Sequence, residues 1–78
     1  MHRIFFDTNE GSHSIGYWLY LKKSREDLDG IKADLVNGLR VIIYMPEELE
    51  MEANLLLDAE VGTWLAMPID GTIRYLSE

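Results

Sequence analysis

Residues 49–59, LEMEANLLLDA, show the most regular alternation of apolar and polar side chains in this chain. All six odd-numbered positions of the segment are apolar. Five of the six even-numbered positions from Glu50 to Glu60 are polar, and Leu56 is the exception. A period of two is typical of a strand with one buried and one exposed face. The pattern therefore predicts a β-strand here.

Intrinsic propensity favours a helix in the same segment. A proline and two glutamates at 46–48 resemble a helix start, and the segment is rich in leucine, methionine, glutamate and alanine, which are good helix formers. On a helical wheel, however, Leu49 and Ala53 would share a face while Met51 and Leu55 would point to the far side. Because a helix would not form a single apolar face, we predict a strand.

Five other segments are predicted as strands, because they contain apolar, β-branched or aromatic residues between turn residues. They are residues 2–6, 16–22, 39–45, 64–67 and 72–76. The turn at 46–48 predicts that 39–45 and 49–59 form a hairpin, because proline presets the second position of a tight turn.

One short helix is predicted after the second strand. Ser24 resembles an N-cap, and Asp27 stands at the third position of a capping box, so the helix should begin at Arg25. Gly30 in a helix interior costs about 1 kcal/mol relative to alanine, and we therefore predict a helix around residues 25–29. A continuation to residue 37 stays open because three apolar residues share one helical stripe: Leu28, Ile31 and Leu35.

The segment 38–76 resembles the small SH3-like barrels in the order of its pieces. The likeness rests on the G-x-x-V-x-x-Y run at 38–44, the strand at 50–57, the Gly62-x-Trp64 return and a short last strand. It implies a mainly β fold, a five- to six-stranded barrel, and the short helix predicted around residues 25–29 is a departure from that pattern. In a globule about 30 Å across, a strand of about 35 Å would have to bend near residues 54–56. The alternative is an α+β fold, an antiparallel sheet with one helix.

Length and composition limit the organisation of the chain. Seventy-eight residues make one domain, 1–78, and 47% of them are hydrophobic. The chain has no cysteine, and no apolar run approaches the roughly 20 residues that cross a bilayer. We therefore expect a cytoplasmic protein without membrane segments.

The chain is strongly acidic. Fourteen acidic and seven basic residues give a formal charge of −7, which repels phosphate backbones and anionic lipid surfaces. Direct binding to nucleic acid is therefore not expected. The same charge attracts a basic protein or peptide.

The candidate site follows from the predicted strand at 49–59. Glu50, Glu52 and Asp58 would lie on its polar face, and Trp18 or Tyr20 would supply an exposed aromatic anchor for a basic partner. We predict a non-catalytic protein-interaction module with no cofactor and no metal, because neither histidine has triad or zinc-site partners.

Other interpretations stay open. The carboxylates can serve solubility alone, and the aromatic residues can fill the core. A structural subunit would pair with a second copy through the outer side of Ile42 and Tyr44 or through the edge of the first strand. A small hydrolase would require a carboxyl group with a raised pKa in a pocket.

Overall fold

The structure, a computed structural model, describes residues 1–76 and contains seven strands and one α-helix. The elements are β1 (Arg3–Phe5), β2 (Ser12–His13), β3 (Gly16–Trp18), α1 (Lys22–Asp29), β4 (Arg40–Met45), β5 (Leu49–Asp58), β6 (Thr63–Pro68) and β7 (Arg74–Tyr75). A 3-10 turn, Lys32–Asp34, lies between α1 and β4.

The strands form one sheet in the order β1-β4-β5-β6-β3-β2, and β7 pairs with β5 beside this path. β1 runs parallel to β4, and every other pairing in the sheet is antiparallel. The predicted hairpin is confirmed, since β4 and β5 pair from Met45 with Leu49 to Arg40 with Asn54. Glu47 takes a positive φ of 64° in the turn between them.

The predicted strand at 49–59 is confirmed as β5. It pairs with β4 over Leu49–Asn54 and with β6 over Ala53–Asp58, so its two halves belong to different hairpins. The longest dimension of the molecule is 38 Å. A straight strand of about 35 Å therefore fits along this dimension, and the size of the molecule does not force β5 to bend near residues 54–56.

The core lies on the side of the sheet that receives the odd-numbered residues of β5. Alternate residues of β1, β4 and β5 meet there, as their periodicity predicts. Burial of these side chains is the main stabilising contribution in a chain without disulfides. The buried cluster consists of Ile4, Phe6, Leu19, Leu28, Val41, Ile43, Met51, Ala53, Leu55 and Ala66.

The helix differs from its prediction in where it begins. Leu21, in an extended conformation, is the N-cap residue without a side-chain cap, so α1 begins three residues before Arg25. Ser24 is therefore not the N-cap but a buried residue inside the helix. Its hydroxyl bonds the backbone of β1, a long-range partner that the capping pattern cannot reveal. The end of the helix at Asp29, before Gly30, agrees with the prediction.

The predicted strands at 16–22 and 72–76 are shorter in the structure. β3 ends at Trp18, because the chain enters α1 at Lys22, and β7 contains only Arg74 and Tyr75. The prediction of a mainly β fold with one helix is confirmed, and β1 and β2 are the two ends of the sheet path. Within residues 1–76, no helix is long and apolar enough to cross a membrane.

Candidate interaction site

The five residues predicted for the site lie in two separate regions of the sheet. Glu50 and Glu52 lie in the half of β5 that pairs with β4, whereas Asp58 lies at the far end, where β5 pairs with β6. Six residues of extended strand separate Glu52 from Asp58, which is about 20 Å. Trp18 and Tyr20 belong to the second region, because β3 pairs with β6.

The first region is a cluster of three arginines and two glutamates that we call the arginine–carboxylate patch: Arg3, Arg40, Glu50, Glu52 and Arg74. They come from four strands, and Arg3 of β1 reaches Glu50 of β5 across β4, which lies between these two strands. Glu50 accepts hydrogen bonds from Arg3 Nη1 at 2.7 Å and from Arg74 Nη1 at 3.3 Å. Arg40 Nε donates to Glu52 Oε1 at 2.6 Å. Each predicted carboxylate of this region thus has a partner within the chain.

Burial makes the pairing at Glu50 stronger than an ordinary surface ion pair. The Glu50 side chain is only 13% exposed, and solvent screens a half-buried pair less than an exposed one. The Arg3 guanidinium also lies 4.9 Å from the centre of the Tyr44 ring, a cation–π contact. Glu50 therefore joins β1, β5 and β7, and its charge is compensated before any partner arrives.

The second region is a concave surface that we call the aromatic groove, lined by Trp18, Tyr20, Val61 and Thr63, with a volume of about 280 Å³. Its apolar lining comes from the end of β3 and from the turn that joins β5 to β6. Trp18 is half-buried, and Tyr20 is 47% exposed. Two aromatic rings are thus available to a ligand on this side of the sheet.

The loop between β1 and β3 supports one side of the aromatic groove. The backbone N–H of Trp18 donates to Gly11 O at 2.6 Å, and Gly11 has a positive φ of 78°. A Cβ at this position would lie 2.7 Å from Cε1 of Tyr20. The His13 ring stands edge-on to Trp18 at 5.0 Å between centroids. Glycine at position 11 therefore allows the loop to approach both aromatic residues.

Asp58 lies at the rim of the aromatic groove. It is the register partner of Thr63, which lines the groove, and Oδ1 accepts hydrogen bonds from the backbone N–H groups of Glu60 and Val61 at 3.0 and 3.2 Å. The carboxylate shapes the turn that carries Val61. Asp58 therefore lies on the strand beside the groove without lining it, and Glu50 and Glu52 lie elsewhere.

Asp27 is a central polar residue that the sequence patterns assigned to a different role. Its carboxylate accepts hydrogen bonds from Lys23 Nζ at 2.8 Å, from the Phe5 backbone N–H at 2.9 Å and from the Tyr44 hydroxyl at 3.0 Å. Burial alone would raise the pKa of Asp27, but these three hydrogen bonds outweigh it and hold the pKa below its ordinary value. Burial and the hydrogen bond to Asp27 raise the pKa of Tyr44.

The Asp27 carboxyl and the spacing of the acidic and histidine side chains bear on hydrolase and metal chemistry. The downward shift in the pKa of Asp27 is opposite to the raised pKa that a hydrolase acid requires. Within residues 1–76, no three histidine, aspartate or glutamate side chains are grouped to hold a metal ion.

Comparison of the chain with models of protein families, with curated proteins and with solved structures finds no significant match. The arginine–carboxylate patch and the aromatic groove are therefore the features from which a function can be proposed.

Proposed function

We propose that this chain is a non-catalytic, cytoplasmic protein-interaction domain that binds a basic peptide segment of another protein in its aromatic groove. The observation that carries the proposal is the combination of two accessible aromatic rings, Trp18 and Tyr20, with the acidic turn that follows β5. The biological partner is defined here by its chemistry, a segment with alternating cationic and apolar side chains.

Aromatic side chains supply the contact area that such binding requires. Tryptophan and tyrosine are enriched among the residues that contribute most to protein interfaces, because they bury a large apolar surface with few rotatable bonds. Their ring faces also attract the cationic groups of lysine and arginine. Val61 adds an apolar wall, since its side chain is 63% exposed beside the rings.

The distribution of charge favours a basic occupant on the β5–β6 side of the groove. Residues 55–68, which form the β5–β6 hairpin beside the groove, contain two acidic residues and no lysine or arginine. Asp58 and the exposed Glu60 lie in the turn that carries Val61, and Lys22 is the basic residue nearest to Tyr20 in the chain. The arginine–carboxylate patch is a weaker candidate, because its glutamates already bind arginines of the same chain.

The test is a titration of the ¹⁵N-labelled chain with a short peptide of alternating lysine and leucine residues, followed by NMR chemical shifts. We expect shifts at the aromatic groove and weaker binding at high salt, because exposed charges are screened. A peptide with glutamate in place of lysine is the control for charge. Shifts confined to Glu50 and Glu52 would move the site to the patch, and no shifts with the lysine peptide would refute the proposal.

Matched variants locate the binding energy. Tyr20→Ala should weaken binding by roughly tenfold or more, as for an aromatic interface residue that contributes at least 1.4 kcal/mol. Tyr75→Ala removes another exposed tyrosine outside the groove and should leave the affinity unchanged. Glu60→Gln should weaken binding slightly, whereas Glu47→Gln, in the exposed turn between β4 and β5, should not.

Self-association through the first strand is the alternative predicted from the sequence. In the structure, α1 contacts the outer edge of β1 at Phe5, where both backbone polar groups are already hydrogen-bonded. Pairing of two copies at this edge therefore requires that the helix move, whereas the aromatic groove needs no rearrangement. For this reason we place the peptide site first.

A further inference from the structure

The outer edge of β1 is bonded to side chains of α1 rather than to another strand. The Ser24 hydroxyl donates to Phe5 O, and Asp27 Oδ2 accepts from the Phe5 N–H at 2.9 Å. On its other side β1 pairs with β4, with Phe6 N–H donating to Tyr44 O at 3.1 Å. Two helix side chains thus take the positions that a neighbouring strand would otherwise occupy.

The attachment of α1 is mainly polar. Ser24 and Leu28 are its two buried residues, so a single apolar side chain of the helix enters the core. Among the strands, β1 is the principal contact of α1. Segments with few buried apolar contacts open at a lower free energy than the core does. We therefore expect α1 to separate from β1 at a lower free energy than the sheet unfolds.

The backbone of β1 is suited to pair with a copy of itself once the helix is removed. Hydrogen-bonding groups alternate between the two sides of a strand, so the N–H and C=O groups of Arg3 and Phe5 face the outer edge, whereas those of Ile4 face β4. In an antiparallel pair, Arg3 of one copy would exchange both bonds with Phe5 of the other, and the reverse, about a twofold axis at Ile4. All four groups of each copy would then be satisfied.

From this geometry we propose that α1 is a removable cover of the β1 edge, and that the surface beneath it is a dimerisation site for β1 of a second copy. Exposed strand edges pair readily with other chains, and proteins commonly cover them. The proposal concerns a different surface from the aromatic groove, and peptide binding at the groove does not depend on it.

The test compares the wild-type chain with the double variant Ser24→Ala and Asp27→Ala by analytical ultracentrifugation at several concentrations. We expect the double variant to self-associate at least roughly tenfold more tightly, because the Phe5 N–H and C=O lose their partners in the helix and gain new ones in the dimer. Hydrogen exchange at Arg3 and Phe5 should slow as the dimer forms. Asp29→Ala, an exposed acidic residue at the end of the same helix, is the matched control and should behave like wild type.

A third substitution distinguishes this dimer from any other. Phe5→Pro, added to the double variant, removes the N–H that the twofold pairing requires and should abolish self-association. A double variant that is folded and monomeric would overturn the proposal, and so would a dimer that survives Phe5→Pro. If the double variant does not fold, the single variants Ser24→Ala and Asp27→Ala replace it, because each removes one of the two bonds from the helix to Phe5, and the same outcomes then support or overturn the proposal.

Discussion

The outer face of the sheet has two halves that use carboxylates in different ways. In the arginine–carboxylate patch, Glu50 and Glu52 bond three arginines and hold neighbouring strands together. Beside the aromatic groove and its two accessible rings, Asp58 accepts hydrogen bonds from the backbone N–H groups of Glu60 and Val61. A row of acidic residues along one strand is therefore not one surface: arginines compensate Glu50 and Glu52, which support the fold, whereas Asp58 has no lysine or arginine partner among residues 1–76.

Among variants that affect one half of the sheet and not the other, Gly11→Ala is expected to lower the free energy of unfolding most. The new Cβ would meet Tyr20 Cε1 at 2.7 Å and Trp18 O at 2.8 Å, at a residue with positive φ. We expect a loss of about 2–4 kcal/mol in the free energy of unfolding, since overpacking and a left-handed backbone add. Urea denaturation measures the loss, and NMR should show changes at the groove.

Gly62→Ala is the matched control for this prediction. Gly62 also has a positive φ, 75°, but an added Cβ would meet no heavy atom within 4 Å. Its cost should be limited to about 1–2 kcal/mol from the backbone conformation. Equal losses for the two variants would show that the close approach of Gly11 to the aromatic residues is not important.

Glu50→Gln, in the arginine–carboxylate patch, is expected to lower the free energy of unfolding by less and to leave the aromatic groove unchanged. The amide keeps the shape of the side chain but removes the charge that faces Arg3 and Arg74. We expect a loss of about 1–2 kcal/mol in the free energy of unfolding, because hydrogen bonds to charged groups are stronger than neutral ones. Thermal unfolding measures it, and affinity for the lysine–leucine peptide should not change. A large loss of peptide affinity would contradict the division into two halves.

The smallest effect is expected from the protonation of Asp27. Because its pKa is lowered in the folded chain, the stability it contributes is complete above the ordinary aspartate pKa of about 3.9. That contribution is lost as the pH falls through the lower pKa of the folded chain. Comparing urea midpoints of the wild-type chain and Asp27→Asn from neutral pH to strongly acidic pH measures this. The Asp27→Asn variant should show a weaker pH dependence of the urea midpoint, and an unchanged pH profile would contradict the role of Asp27.

Local sequence was sufficient to predict much of the sheet. The alternation at 49–59 depends only on neighbouring residues, and it predicted β5 correctly against a contrary helix propensity. The β4–β5 hairpin followed from a proline turn between two apolar segments. Of the five residues predicted for the site, Trp18, Tyr20 and Asp58 lie in the region of the aromatic groove.

The start of the helix shows where local reasoning fails. The Ser24 to Asp27 spacing is a valid capping pattern, but the two side chains bond Phe5, 19 and 22 residues away in the chain. The side chains of Ser24 and Asp27 bond the distant Phe5 backbone rather than the first turn of the helix, because this covers an otherwise unpaired strand edge. The periodicity of the sequence does not show which strand the helix contacts.

The sequence by itself determined the longer strands β4, β5 and β6 and which side chains of β5 face the core, because these properties repeat at fixed intervals along the backbone. It did not determine β2 or the short extents of β3 and β7. Only the tertiary structure decided which charges are compensated. Arg3, Arg40 and Arg74 are distant from the glutamates in the chain and meet them through strand pairing. Electrostatic pairing depends on distance in space, and strand order, which sets that distance, is a property of the whole fold.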